Sequence, residues 1–341
     1  MTRNFGFIPT TQGEKKAIFR FSGSNSENKH YSYILDCLHF LRSKPWVNPD
    51  DSDIATRIAN MVLEVVPYFQ NQADAAALKK GKTEPEAFET TTINLGQNER
   101  IEVTLTDLFS LVPSNSSNAW LTDRLMESLI RLQARPYQPG FVWFCSDGVL
   151  QTCMAALTRL NDDGCTCVSF GHRLYEMWID GILPGREIPA DAGSIVFFHQ
   201  PTKDHWITVL AYVDRATMLG HIELFNSLGE FCGDDLNIPL QYLLHCLSYR
   251  SRNLRFRGAN WFEVSALNRR CPQQSSQNID CGIFAVSAAE SLLQMEFPDE
   301  TIQRDEQARI DHGLVLREHY MIALKEALDE TDIAIQTIAS V

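Results

Sequence analysis

Residues 271–284 read CPQQSSQNIDCGIF, and the fold turns on this stretch. From Ile283 the chain continues through Ala285, Val286 and two further alanines to Met295. That run is apolar nearly all round, which predicts a buried helix. Asp280, Cys281 and Gly282 stand at its mouth. Backbone N–H groups and the dipole at a helix amino terminus favour thiolate over thiol, so Cys281 is a candidate nucleophile. Gln273, Gln274 and Gln277 carry side-chain amide donors of the kind an oxyanion hole uses. Alone, a Cys-Gly pair before a helix is weak evidence. A nucleophile needs a base, and the base needs a group to orient it.

Upstream, the chain changes to β-branched and aromatic runs: SIVFFH (194–199), WITVLAYV (206–213) and HIELF (221–225), each bounded by turn residues. These predict strands. His205 stands at the start of the second and is the candidate base. Asn226 follows the third and is its candidate partner, accepting a hydrogen bond from imidazole Nδ1–H and fixing the tautomer. Each residue also has an ordinary reading, as an edge histidine, a turn asparagine and a buried cysteine. Their joint order is not ordinary.

Farther out, helical spacing of apolar residues predicts helices over 31–41, 54–69 and 120–132. Residues 100–105 alternate as a short strand, and 79–92, rich in charge and Thr, read as a linker. The region from 301 to 329 is helical and polar. Cys165, Cys167 and His172 lack a second ligand pair at useful spacing, so no metal site is expected.

The 341 residues carry a net charge of −13. That disfavours nucleic acid and anionic membrane surfaces as partners, since both call for cations. An apolar fraction of 44% excludes a disordered chain. No apolar run approaches a membrane span, and the first residues lack the apolar core of a secretory signal. Nine scattered cysteines suit a reducing compartment. Against the overall acidity, residues 250–270 hold six arginines and one glutamate, a basic cluster that reads either as a solvated strand-and-turn surface or as a dock for an acidic partner.

Taken together, His205-Trp206 at a strand start, Asn226-Ser227-Leu228 after the next strand, and Pro272-Gln273-Gln274 leading to Asp280-Cys281-Gly282 resemble the ubiquitin-like-protein-specific cysteine proteases. These are the SUMO/sentrin-specific type, related to adenoviral proteinase. Trp120-Leu121-Thr122-Asp123 is similar to that family's Trp-Leu-Asn-Asp signature, and Gln303, Asp305 and Arg309 to its Gln-x-Asp…Arg pattern.

The resemblance implies an α+β, papain-like fold: a central, mostly antiparallel sheet against a helix starting at the nucleophile. The residues ahead of the resemblance read as a helical extension over 1–105, a candidate substrate-selecting region, followed by a catalytic domain over 106–330 and a tail over 331–341. The resemblance makes Cys281 the nucleophile, His205 the base, Asn226 the third member (usually Asp in the SUMO enzymes) and Gln274 the oxyanion glutamine, with Gln273 or Gln277 as alternatives. Trp206, Trp120 and Asp123 become substrate-binding residues around a di-glycine tail. The implied activity is cleavage after that tail of a ubiquitin-like modifier, SUMO first, ubiquitin or NEDD8 next, without a cofactor. The alternatives are an acyltransferase of the same fold and an inactive modifier-binding module. The implied location is nucleus or cytoplasm, or a host cell for a delivered effector.

Overall fold

The computed structural model describes residues 3–6, 18–21, 54–79, 90–96, 99–113, 120–133, 142–145, 191–202, 205–214, 216–229, 240–241, 243–245, 247–248, 254–261, 266–276, 279–296, 298 and 305–339. The chain divides into two compact units, residues 1–132 with 314–341, and residues 133–313. The helix expected over 31–41, the Cys165–Cys167 region and Gln303 lie outside the described residues.

The first unit holds two antiparallel hairpins, β1 (Arg3–Gly6) with β2 (Ile18–Phe21) and β3 (Thr90–Gly96) with β4 (Glu99–Thr104). Its helices are α1 (Ile54–Lys79), α2 (Leu105–Leu111) and α3 (Asp123–Gln133). Ile58, Val62, Val65, Val66 and Phe69 form the fully buried stripe of α1, which packs on β3 and α2. Where α2 begins, Thr104 and Asp107 make a reciprocal capping box. Asp107 Oδ1 also accepts from Thr122 Oγ1 at 2.8 Å, and Thr122 Oγ1 accepts from the Leu125 N–H at 3.1 Å, capping α3.

The last helix, α6 (Glu306–Ala339), begins in the second unit and ends in the first. Within the first unit its Glu318 pairs with Arg57 of α1, and buried Arg317 donates to the Ser110 carbonyl at 2.7 Å. The amino-terminal region contains these four strands beside α1 and belongs to the same compact unit as residues 314–341.

The second unit is built on a five-stranded sheet in the order β5-β6-β7-β8-β9. The strands are β5 (Val142–Phe144), β6 (Ser194–Thr202), β7 (His205–Val213), β8 (Gly220–Phe225) and β9 (Ala266–Arg269). The central three run antiparallel, and the short edge strands β5 and β9 join in parallel. The class is α+β as expected, with most of the ladder antiparallel and parallel edges the sequence did not announce.

One face of the sheet (Ile195 and Phe197 of β6, Ile207 and Val209 of β7, Ile222 and Leu224 of β8) packs on a cluster that includes Leu244, Phe256 and Trp261. Gly220 makes that packing possible, because a Cβ there would come within 2.5 Å of the Trp261 ring. A short helix, α4 (Leu254–Gly258), supplies Phe256. Against the sheet also packs α5 (Cys281–Leu293), which starts at the candidate nucleophile.

Candidate functional site

Register explains how β7 and β8 bring two side chains together. Thr208 of β7 is opposite Phe225 of β8. Extending the antiparallel ladder by one pair sets Ile207 opposite Asn226, so His205 is the diagonal neighbour of Asn226 on the same face. The side chains meet there: His205 Nε2 lies 2.7 Å from Asn226 Oδ1, and both residues are buried.

A second bond decides the protonation. Asn226 Oδ1 also accepts from the Leu228 backbone N–H at 3.0 Å. A backbone donor identifies that atom as the amide oxygen, so Nε2 of His205 must be its N–H partner. The tautomer therefore keeps its proton on Nε2 and its lone pair on Nδ1. This corrects the expectation that Nδ1–H faces Asn226. Burial lowers the His205 pKa below 6.5, with the Asn226 bond acting in the opposite direction. The ring is neutral at neutral pH, as a general base must be.

Cys281 is the first residue of α5 and is buried. Asp280, at the N-cap, makes no side-chain capping bond to this helix. The helix is tied to the sheet by Thr208 Oγ1, which donates to the Ala285 carbonyl at 2.7 Å. Ala285 is one helical turn beyond Cys281, about 6 Å along the axis, and Thr208 is three strand residues beyond His205, about 10 Å. Cys271 is a different thiol. It is buried and pushed up to about 11 by desolvation, which keeps it protonated and unreactive at neutral pH.

Of the three glutamines, Gln274 and Gln273 are engaged in opposite ways. Gln274 Oε1 accepts from Ser227 Oγ at 2.9 Å, and its backbone N–H donates to the Ser227 carbonyl at 2.9 Å. The carbonyl end of the amide is thereby held and the NH₂ end turned away. Gln273 spends its NH₂ on the Cys271 carbonyl at 3.0 Å and the Asn226 carbonyl at 3.3 Å. Gln277 lies outside the described residues. The anchor on Gln274 is Ser227, immediately after Asn226, so β8 positions both groups; nothing in the sequence marked Ser227 for this.

The expected substrate-binding residues belong to two different units. Trp206 is half-buried on β7 beside His205. Trp120 and Asp123 belong to the first unit. There Asp123 is the exposed first residue of α3, its Oδ1 accepting the Arg124 N–H at 2.8 Å. Trp120 is half-buried, and its indole N–H is buried without a partner among the described residues.

The arginines of the basic cluster are engaged differently. Arg269 pairs at 2.5 Å with Glu223, which is buried and accepts from Tyr212 Oη at 3.0 Å. Arg269 thus neutralises an internal carboxylate, while Arg255, Arg257 and Arg270 are exposed. A pocket lined by Phe225, Ser227, Cys271 and Phe284 runs beside α5, and neither Cys281 nor His205 lines it.

His205 with its amide partner Asn226, Cys281 at the mouth of α5 and the anchored Gln274 all belong to the second unit. No family model and no curated protein matches the chain. Among solved structures, the chain is similar to the C-terminal protease domain of Ulp1 in complex with Smt3, the yeast ortholog of SUMO. That likeness has 17% identity and a TM-score of 0.44, covering 75% of this chain and 95% of that one. It is also similar to Xanthomonas XopD, at 13% identity and a TM-score of 0.31, covering 57% and 98%. XopD of Xanthomonas campestris bound to ubiquitin is similar at 13% identity and a TM-score of 0.30, covering 57% and 90%.

Proposed function

We propose that the protein is a cysteine peptidase that cleaves after the carboxy-terminal di-glycine of a ubiquitin-like modifier, with SUMO the first candidate and ubiquitin or NEDD8 next. The observation that carries the reading is the His205–Asn226 pair, whose amide oxygen is fixed by Leu228 so that the imidazole lone pair sits on Nδ1.

In this reading Nδ1 takes the proton of Cys281, giving a thiolate–imidazolium pair beside the amino terminus of α5. The sulfur attacks the carbonyl carbon of the modifier's terminal glycine. The Gln274 NH₂ and the backbone N–H at the helix mouth stabilise the oxyanion. As the tetrahedral intermediate collapses, His205 gives its proton to the leaving amine, a lysine of the conjugate. Water, deprotonated by the same Nδ1, then clears the thioester. The half-buried Trp206 supplies one wall for the thin di-glycine tail. Such a peptidase acts where conjugates are found, in nucleus or cytoplasm, or in a host cell for a delivered effector. Among the described residues no helix is long and apolar enough to cross a membrane.

The test is incubation with SUMO, NEDD8 and ubiquitin carrying carboxy-terminal electrophiles, read by intact mass and by hydrolysis of the matching fluorogenic substrates. An adduct on Cys281 with turnover supports the reading. Binding without an adduct replaces it with a modifier-binding module, and turnover only with an acyl donor and acceptor replaces it with an acyltransferase.

A further inference from the structure

The segment from Gln274 to Cys281 carries two of the proposed catalytic groups, and its described residues 274–276, 279 and 280 lie outside regular secondary structure. Its surroundings come from α6. Glu306, the first residue of that helix, turns Oε1 onto Ser275 Oγ at 2.7 Å, the Ser276 backbone N–H at 2.8 Å and Ser276 Oγ at 3.0 Å. One carboxylate oxygen thus gathers three donors from the two residues that follow Gln274. Ser275 is fully buried. These bonds hold the Glu306 pKa below the usual carboxylate range, the Ser275 hydroxyl contributing most, so the carboxylate is ionised at neutral pH.

Seven residues on, two turns along the same face, is Gly313. A Cβ there would come within 2.6 Å of Asp280 Oδ2 and 3.1 Å of its Cγ. The absent side chain lets α6 close against the residue immediately before Cys281. Phe284 and His312 pack beside that contact, their rings tilted by 49° with centroids 5.4 Å apart. The first two turns of α6 therefore touch the segment at both ends.

We propose that this part of α6 is a brace for the oxyanion site, with Glu306 a positioning residue that acts through Gln274 and Gly313 one that acts through Asp280. The proposal rests on the peptidase reading for its kinetic consequence, but the brace itself is a structural property with its own readout. Without the Glu306 carboxylate, Ser275 and Ser276 lose their shared acceptor. Gln274 then keeps its Ser227 contacts but loses the fixed chain on its other side. The oxyanion donor wanders, and the thiol does not.

The experiment compares wild type with Glu306→Ala, Glu306→Gln and Gly313→Ala, each checked for an unchanged thermal midpoint. In Glu306→Ala, kcat on the modifier substrate falls about tenfold with KM within twofold of wild type, as expected for misplacing a group used in the transition state. Glu306→Gln keeps an acceptor oxygen and restores at least half of kcat. Alkylation of Cys281 by iodoacetamide, which uses no oxyanion hole, is unchanged in Glu306→Ala. In a Gln274→Ala background, Glu306→Ala costs nothing further, because the two act through one donor. Gly313→Ala lowers kcat and also shifts the alkylation rate, since it displaces Asp280 beside the thiol.

Hydrogen exchange across residues 274–276 reads the brace without any substrate: protection falls in Glu306→Ala and returns in Glu306→Gln. Unchanged exchange in Glu306→Ala overturns the brace whatever the activity. Additive losses in the double variant overturn its route through Gln274. Absence of turnover in wild type with the exchange result intact overturns the peptidase reading and leaves the brace standing.

Discussion

The two halves of the site are held in different ways. His205 begins β7 and Asn226 directly follows β8, so the β7–β8 ladder sets their register before any side chain contributes. Gln274 and Asp280 sit on irregular backbone, and their placement depends on a few individual contacts: Ser227 on Gln274, Glu306 on Ser275 and Ser276, and the bare Cα of Gly313 under Asp280. A ladder distributes its constraint over many backbone bonds, so losing one side chain leaves the frame intact. A loop concentrates it. Substitutions around His205 should therefore change its chemistry at a fixed position, whereas those around Gln274 should change position first.

The largest effect is expected at the thiol. Cys281→Ser should abolish turnover and leave modifier binding within a fewfold of wild type, because a hydroxyl is a poor nucleophile where a thiolate is required. Cys271→Ser, in the same half, should leave turnover intact, in keeping with its raised pKa. Kinetics and calorimetry on the two variants separate these outcomes. Turnover that survives in Cys281→Ser would move the chemistry elsewhere.

Next in size is Gln274, the proposed oxyanion donor. Gln274→Ala should lower kcat by about 10²–10³-fold, the usual loss for one such donor. Gln273→Ala, whose NH₂ is spent on backbone carbonyls, should have a much smaller effect on kcat. An equal loss in both would erase the distinction drawn between the two amides.

On the ladder side, Asn226→Ala should reduce kcat by roughly 10²-fold through a misoriented imidazole, with KM little changed. Asn226→Asp is nearly isosteric and adds a charge that stabilises imidazolium. The thiolate–imidazolium pair then forms at lower pH, so the acid limb of kcat/KM should move to lower pH. A pH–rate profile of the three proteins reads both effects, and an acid limb that stays in place in the Asp variant would count against the ion-pair account.

The ladder half should also show in acid stability. Burial lowers both His199, paired with Ile207 across β6 and β7, and His245 to about 4. Above pH 6.5 neither state of the protein binds the extra protons, and the full stability is present. Between about 6.5 and 4 the unfolded chain takes up protons that the folded one refuses, so stability falls across that window. The thermal midpoint should drop on the order of 5 °C between pH 7 and 5. Replacing both histidines with Asn should flatten the drop; an equally steep fall in that variant would assign it to other groups.

The smallest effect lies outside both halves. Arg255→Glu with Arg257→Glu should raise KM for an acidic modifier severalfold and weaken its salt dependence, with kcat nearly unchanged. KM that is the same in both proteins at every ionic strength would return those exposed arginines to an ordinary solvated surface.

What was legible in the sequence follows the same division. Strands over 194–199, 206–213 and 221–225 and the helix at Cys281 announced themselves by period and composition, and β6, β7, β8 and α5 occupy those positions. His205, Asn226 and Cys281 could be named because each stands at an element boundary. Three kinds of information were not legible. Strand pairing order is set by contacts distant in sequence, so the parallel edges β5 and β9 left no local trace. The hairpins of the first unit carry short, mixed stretches such as TTTINLG, too polar to separate from a linker by composition. And the anchors Ser227, Glu306 and Gly313 are common residue types whose roles arise only when a segment tens of residues away folds against them. The nitrogen that faces Asn226 was likewise beyond sequence, since only the Leu228 N–H identifies the amide oxygen.

The most direct test of the central claim is the reaction of the protein with SUMO bearing a carboxy-terminal electrophile, followed by peptide mapping. The account predicts one covalent adduct, on Cys281, formed by wild type and lost in Cys281→Ser. It also predicts that adduct formation slows in Asn226→Ala, where the base is misoriented. An adduct on Cys271, or none with SUMO, NEDD8 or ubiquitin under conditions where iodoacetamide labels Cys281, would contradict it.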